Sequence, residues 1–111
     1  MKLKTREQDG IAILEISGQM IGGPEAAVVQ ETIKAQIVKG TKRFVLNLSE
    51  VDRMNSTGLG NLIGALTTVK NAGGELKLAS VADKIQSLLV ITKLVTIFES
   101  YETVDQALHS F

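Results

Sequence analysis

The chain has 111 residues, of which 44% are hydrophobic, and its twelve basic and twelve acidic residues cancel to a net charge of zero. A chain of this length is expected to form one compact domain that buries enough apolar surface to fold without covalent cross-links. The balanced charge argues against a nucleic-acid-binding surface, and the absence of cysteine excludes disulfides, thiolate metal sites and a cysteine nucleophile.

The first predicted elements are a hairpin and a helix. Asp9-Gly10 is a two-residue turn signal between an edge strand over Lys2–Glu7 and a β-branched strand over Ile11–Ile16. Gly22-Gly23-Pro24-Glu25 is typical of a helix start, because proline is pre-set for the first turn and glutamate lies near its positive end. Gly40 predicts the C-terminal end of this helix.

The central segment combines a strand, a polar turn and a glycine-containing helix. The apolar residues Phe44–Leu48 predict a strand that leads into a polar turn. A helix is predicted from Gly58 onward, with an apolar face that includes Leu59, Leu62, Ile63 and Leu66. Gly60 and Gly64 each cost this helix roughly 1 kcal/mol relative to alanine. They indicate tight packing of the helix on the sheet or, alternatively, a ligand surface.

The C-terminal third adds a strand, a helix, a short strand and a final helix. Glu75–Ala79 alternates polar and apolar residues, which predicts a strand with one face in water. Ser80 or Asp83 is expected to cap a helix that contains Ile85 and Leu89. Leu94–Phe98 predicts a short strand, and Thr103 is expected to cap a last helix to Leu108. The alternation of strands and helices after the hairpin predicts an α/β fold with a mixed sheet of four or five strands.

The sequence supplies little catalytic chemistry. His109 is the only histidine and lies next to the chain end, which argues against a Ser-His-Asp arrangement and excludes a histidine-based metal site. Gly58-Leu59-Gly60 is too short for a dinucleotide fingerprint, and a Walker-type phosphate loop is absent. Enzymatic turnover, a cofactor and a metal ion are therefore not expected.

The N-terminus does not predict export or membrane insertion. Residues 1–7 lack the apolar run of a signal peptide. No stretch of the sequence approaches the roughly 20 apolar residues that cross a bilayer. We therefore expect a cytoplasmic protein without direct membrane insertion.

Two adjacent hydroxyls, Ser56 and Thr57, precede the helix predicted from Gly58. One interpretation is that either residue caps the helix, because serine and threonine side chains accept a backbone N–H that lacks a partner. The other is that Ser56 is a modification site, because the positive helix start favours an anion such as a phosphate. The local pattern supports both interpretations.

The segment Met54-Asn55-Ser56-Thr57-Gly58-Leu59-Gly60 resembles a STAS domain of the anti-anti-sigma factor type. In that family the motif reads Asp, Ser, Ser or Thr, then Gly-Leu-Gly. The resemblance extends upstream through Val45–Ser49 and Val51, and downstream through Leu62–Gly74, so that it covers nearly the whole chain. It implies a single STAS domain over residues 1–111, with about four helices packed mainly on one side of the sheet.

The resemblance also implies a function, that of an anti-sigma factor antagonist in bacteria. In such proteins the unphosphorylated antagonist binds an anti-sigma factor, which is a serine kinase, and frees the sigma factor. Phosphorylation breaks the complex and a serine phosphatase restores it. By the match of the motif, the phosphorylated residue is Ser56, with Thr57 as the second choice.

The helix start, which we expect to be exposed, also predicts where the partner docks. The expected surface surrounds the helix start and the end of the second strand. It consists of Met20, Ile21, Gly22, Gly23, Asn55, Ser56, Thr57, Gly58, Leu59, Asn61 and Leu62.

Two residues depart from the family pattern. Asn55 stands at the motif's acidic position, and Ile21 stands at a second position that is commonly acidic. Loss of these charges favours an alternative, a STAS scaffold without phosphorylation, such as a cytoplasmic subunit of a membrane transporter. A third hypothesis is nucleotide binding in a pocket near Asn47 and Ser56.

Overall fold

The computed structural model describes residues 2–21 and 27–111. In chain order the elements are β1 (Lys2–Gln8), β2 (Ile11–Met20), α1 (Ala27–Val38), β3 (Arg43–Met54), α2 (Ser56–Asn71), β4 (Glu75–Ala79), α3 (Asp83–Ile91), a 3₁₀ turn (Leu94–Thr96), β5 (Glu99–Tyr101) and α4 (Val104–His109). The helix start predicted at Gly22-Gly23-Pro24-Glu25 lies outside the described residues.

The strands form one mixed sheet in the order β1-β2-β3-β4-β5. β1 and β2 are antiparallel, and the remaining neighbours are parallel. Asp9 and Gly10 form the hairpin turn, both with positive φ (54° and 78°), as a type I′ turn requires. The predicted mixed sheet and its opening hairpin are confirmed.

Helices cover the two faces of the sheet unequally. α1, α2 and α3 cover one face, where the main core includes Leu14, Phe44, Leu62 and Leu78. α4 covers part of the other face, where Ala107 belongs to a smaller cluster with Ile11, Ile13, Val45 and Ala79. The prediction of about four helices packed mainly on one side is confirmed.

Strand β3 is longer than the sequence pattern predicted. It runs from Arg43 to Met54 and includes the segment after Leu48 that was expected to be a polar turn. This segment is a strand because β2 also extends to Met20 and pairs with it, with register shifts along the pair. Val51 is buried, so the added strand also contributes to the core. β2 and β3 therefore remain paired beyond the point where β3 leaves β4, whose last paired residues are Asn47 in β3 and Ala79 in β4.

Two predictions in the C-terminal third were wrong. Leu94–Phe98 is not a strand: Leu94–Thr96 form a 3₁₀ turn, and β5 follows at Glu99. Here Leu94 and Val95 pack against the main core and Phe98 belongs to it. Neither Ser80 nor Asp83 caps α3, because Ala82 occupies the cap position. The Ser80 hydroxyl instead donates to the Glu102 carbonyl at 3.1 Å.

The start of α4 and the end of α1 agree with the sequence. The Thr103 side chain caps α4 by accepting the Gln106 N–H at 3.1 Å. After α1, Gly40 has φ 98° and its N–H bonds the Ile37 carbonyl, while the next N–H bonds the Gln36 carbonyl. This is the Schellman pattern, and it confirms Gly40 as the helix end.

The polar face of strand β4 is exposed at Glu75 but closed at Lys77. Lys77 is 5% exposed, although it was expected to face water. Its Nζ donates to the Ser110 carbonyl at 3.0 Å and hydroxyl at 2.8 Å, and lies 3.2 Å from a Glu99 carboxylate oxygen. It also lies 4.3 Å from the centroid of the Phe111 ring. Ser110 and Phe111, which follow α4, together with Glu99 of β5 thus surround the ammonium group and satisfy its donors.

Candidate docking site at the start of helix α2

The first turn of α2 presents two hydroxyls that do not form its cap. Ser56 is the first residue of the helix, and both Ser56 and Thr57 are exposed. The cap is Asn55, whose Oδ1 accepts the Gly58 N–H at 2.9 Å. The interpretation that Ser56 or Thr57 caps the helix is therefore wrong. Because the cap is already filled, the Ser56 hydroxyl is available at the positive end of the helix.

Asn55 also contacts the end of β2. Its Nδ2 donates to the Ile21 carbonyl at 3.0 Å, and its backbone N–H points to the Met20 carbonyl at 3.4 Å. The helix start and the strand end are thus joined by one side chain. Ile21 is 46% exposed, and the hydrogen bond that its carbonyl accepts from Asn55 places this apolar residue on the surface next to the helix start.

Gly58 allows α2 to begin directly against β2. A Cβ on Gly58 would lie only 1.7 Å from the Met20 carbonyl oxygen, which is part of the backbone and cannot move aside. Glycine is therefore required for this approach. The close contact sets the height of the helix start above the sheet.

The other two glycines of α2 differ from this one. A Cβ on Gly60 would meet nothing within 4 Å, and Gly60 is exposed. A Cβ on Gly64 would approach the Gln30 side-chain nitrogen of α1 at 2.8 Å. The expectation that these glycines allow tight packing on the sheet is wrong, because the first has no close neighbour and the second faces another helix. Gly60 lies one turn after Ser56, on the same helix surface.

The predicted docking residues divide by burial. Met20, Gly58, Leu59 and Leu62 are buried, and the three apolar side chains belong to the main core. Asn55, Ser56, Thr57 and Ile21 are exposed, and Asn61 is half-buried. Gly22 and Gly23 lie outside the described residues. Contact with a partner stays a prediction, and the exposed members are the ones whose side chains can make it directly.

The charged residues that precede α2 in the sequence, Glu50, Asp52 and Arg53, are of both signs. The first turn of α2 has no acidic residue. A groove of about 190 Å³ between the end of β3 and α3 is lined by Asp52, Arg53 and Lys84, together with apolar side chains. The acidic residues that the sequence places before the hydroxyl turn, Glu50 and Asp52, are exposed on β3.

Asn47 lies in a cavity that Ser56 does not line, among the cavities formed by the described residues. Asn47 lines a cavity of about 270 Å³ with residues of β1, β2 and β3, and Ser56 is not part of its lining. The Asn47 side chain accepts the Ser49 N–H at 3.1 Å and donates weakly to Glu15 at 3.4 Å. The hypothesis of one nucleotide pocket formed by both residues is therefore not supported.

The described ranges contain neither a cluster of metal ligands nor a membrane-spanning helix. Across residues 2–21 and 27–111, no group of three or more histidine, cysteine, aspartate or glutamate side chains is placed to hold a metal ion. None of the helices found there is long and apolar enough to cross a membrane.

Known proteins resemble the chain in sequence and in fold. A family model described as STAS domain matches residues 2–107. An anti-sigma-B factor antagonist of Listeria monocytogenes is 33% identical over 99 residues, which are 89% of this chain and 85% of that protein.

Solved structures share the fold at lower identity. A sulfate transporter family protein from Wolinella succinogenes has a TM-score of 0.82 at 23% identity, covering 93% of this chain and 85% of that one. The Bacillus cell fate determinant SpoIIAA in its phosphorylated form has a TM-score of 0.76 at 14% identity, covering 98% of each chain. At these identities the likeness concerns the fold.

Proposed function

The chain belongs to the STAS domain family of anti-sigma factor antagonists, and on that premise we propose that it binds an anti-sigma factor and so regulates transcription indirectly. The anti-sigma factor acts as a serine kinase on Ser56, and a serine phosphatase reverses the modification. Thr57 is the second candidate acceptor. The unphosphorylated chain is the form that binds.

The observation that carries this proposal is the exposed Ser56 hydroxyl at the first position of α2. Asn55 provides the helix cap, so modification of Ser56 does not remove a hydrogen bond that the helix start needs. A phosphate there lies near the N–H groups of the first turn, whose partial positive charge stabilises it by about 0.3–1 kcal/mol. The free domain can therefore accept the modification without refolding.

The same phosphate is unfavourable inside a docked surface. It adds a charge of about −1.5 to −2 at neutral pH and three oxygens that require hydration or donors. Burying this phosphate against a partner surface that is complementary to a neutral hydroxyl costs several kcal/mol. A cost of roughly 3 kcal/mol weakens binding about a hundredfold. One hydroxyl thereby controls whether the two proteins associate.

Gly60 supports a docking role for this helix surface. It weakens α2 by roughly 1 kcal/mol relative to alanine, yet no atom of the described structure approaches its missing side chain. Its open position one turn from Ser56 allows a partner to approach the helix backbone closely. Exposed Ile21 adds an apolar contact at the edge of the same surface.

Intact-mass analysis tests the proposed modification. The purified chain is incubated with ATP and the anti-sigma factor kinase of its host, and a gain of one phosphate is expected. Ser56→Ala should abolish the gain, whereas Thr57→Ala should retain it. A wild-type chain that gains no phosphate, together with unchanged kinase binding by Ser56→Asp, contradicts the proposed switch.

A second candidate is a STAS scaffold without phosphorylation that docks on a membrane transporter. It is favoured by the uncharged residues Asn55 and Ile21 at positions that are commonly acidic in the antagonists. Affinity purification from the native host separates the candidates. Recovery of a transporter permease, with no phosphate on Ser56, supports the scaffold, whereas recovery of a kinase supports the antagonist.

A further inference from the structure

The side chain of Asn55 has two hydrogen-bond partners of opposite polarity. Oδ1 accepts the Gly58 N–H at 2.9 Å, and Nδ2 donates to the Ile21 carbonyl at 3.0 Å. Only one orientation of the amide satisfies both partners, because the reverse orientation sets donor against donor and acceptor against acceptor. A helix cap alone needs only the acceptor Oδ1. The bond from Nδ2 to the Ile21 carbonyl therefore has a consequence other than capping the helix.

That consequence is the placement of Ile21. Ile21 follows the last position of β2 and is 46% exposed, and its carbonyl lies against the cap of α2. Met20, the residue before it, is fixed by burial and by the close approach of Gly58 to its carbonyl. The Asn55 amide is the side-chain contact that extends this attachment by one residue to Ile21.

We infer that Asn55 is a positioning residue, whose side-chain amide holds Ile21 beside Ser56 so that both present one recognition surface to the partner. The role in recognition rests on the proposed function, whereas the role in holding Ile21 does not. A carboxylate at residue 55 keeps the acceptor for the Gly58 N–H but loses the donor and faces the Ile21 carbonyl with a second oxygen. In this chain an aspartate at residue 55 therefore loses the attachment to Ile21, although its charge suits the helix start.

Three substitutions separate the cap from the attachment to Ile21. Asn55→Asp and Asn55→Ser retain a side-chain acceptor and lose the amide donor, and only the first adds charge. Asn55→Ala removes both contacts. Thr103→Ala is the matched control, because it removes a cap of the same kind, on the Gln106 N–H at 3.1 Å, from a different helix.

The first measurement uses the free protein and nuclear magnetic resonance. In Asn55→Asp and Asn55→Ser, exchange of the Gly58 amide should stay within about threefold of wild type, whereas the order parameter of the Ile21 amide should fall. Thr103→Ala should change neither value. An Ile21 amide that keeps its wild-type order in both Asn55 variants overturns the inference.

The second measurement uses the kinase that phosphorylates the wild-type chain. Loss of one hydrogen bond at the docking surface should raise KM about fivefold in both Asn55→Asp and Asn55→Ser and leave kcat unchanged. Thr103→Ala should leave both values unchanged. An unaltered KM in Asn55→Ser overturns the recognition role. If the wild-type chain itself is not phosphorylated, the proposed function fails, while the free-protein measurement still decides whether Asn55 positions Ile21.

Discussion

Helices α2 and α4 both begin with a side-chain N-cap, but the surroundings of the two helix starts differ. Asn55 accepts the Gly58 N–H, and Thr103 accepts the Gln106 N–H, each three residues along the chain. After the first cap come two exposed hydroxyls at the end of the long β2–β3 pair. After the second comes a helix that buries Ala107 on the smaller face of the sheet. A capped helix start is therefore not a site by itself; the exposed surface around it makes it a candidate.

Gly58→Ala should disturb the start of α2 and have the largest effect on stability of the three substitutions compared. Its Cβ would overlap the Met20 carbonyl, so the helix start must move away from β2. We expect the free energy of unfolding to fall by about 3 kcal/mol, the upper part of the usual range for overpacking. Urea denaturation measures this change. A loss below about 0.5 kcal/mol would show that the helix start is not held against β2.

Lys77→Ala should weaken the packing of the chain around α4 and leave the start of α2 unchanged. The substitution removes the buried ammonium group and its bonds to Ser110, and it leaves a cavity. We expect a loss of about 2 kcal/mol in the free energy of unfolding, measured in urea. Phosphorylation of Ser56 should keep the wild-type rate under native conditions. A rate that falls with stability would mean that the two regions are coupled.

Alanine at Gly60 should have the smallest effect on stability and the opposite sign. The added methyl group meets nothing within 4 Å, so the higher helix propensity of alanine should stabilise the chain by about 0.5–1 kcal/mol. The same methyl group should weaken binding of the anti-sigma factor, which isothermal titration calorimetry can measure. Thr67→Ala serves as the paired control, because this exposed residue of α2 also gains helix propensity but lies about two turns further from the helix start. Unchanged binding by Gly60→Ala would remove Gly60 from the docking surface.

Much of the fold was predictable because its signals are local. The Asp9-Gly10 turn, the Thr103 cap and the Gly40 helix end each depend on residues within a few positions of one another. The order of strands and helices follows from the periodicity of apolar residues in the same way. The hydroxyl pair at a helix start is also a local pattern, and the structure leaves both residues exposed.

Other features depend on partners that are distant in sequence, and only the tertiary structure decides them. The segment after Leu48 is a strand because the end of β2 offers backbone hydrogen bonds, and Lys77 is buried because the residues after α4 supply acceptors. Asn55, rather than Ser56, caps α2. The tertiary structure also places the Ile21 carbonyl within hydrogen-bond distance of the Asn55 side-chain amide. Residue types and spacing thus determine which elements form, whereas packing between elements determines which polar group is satisfied and which one stays available to a partner.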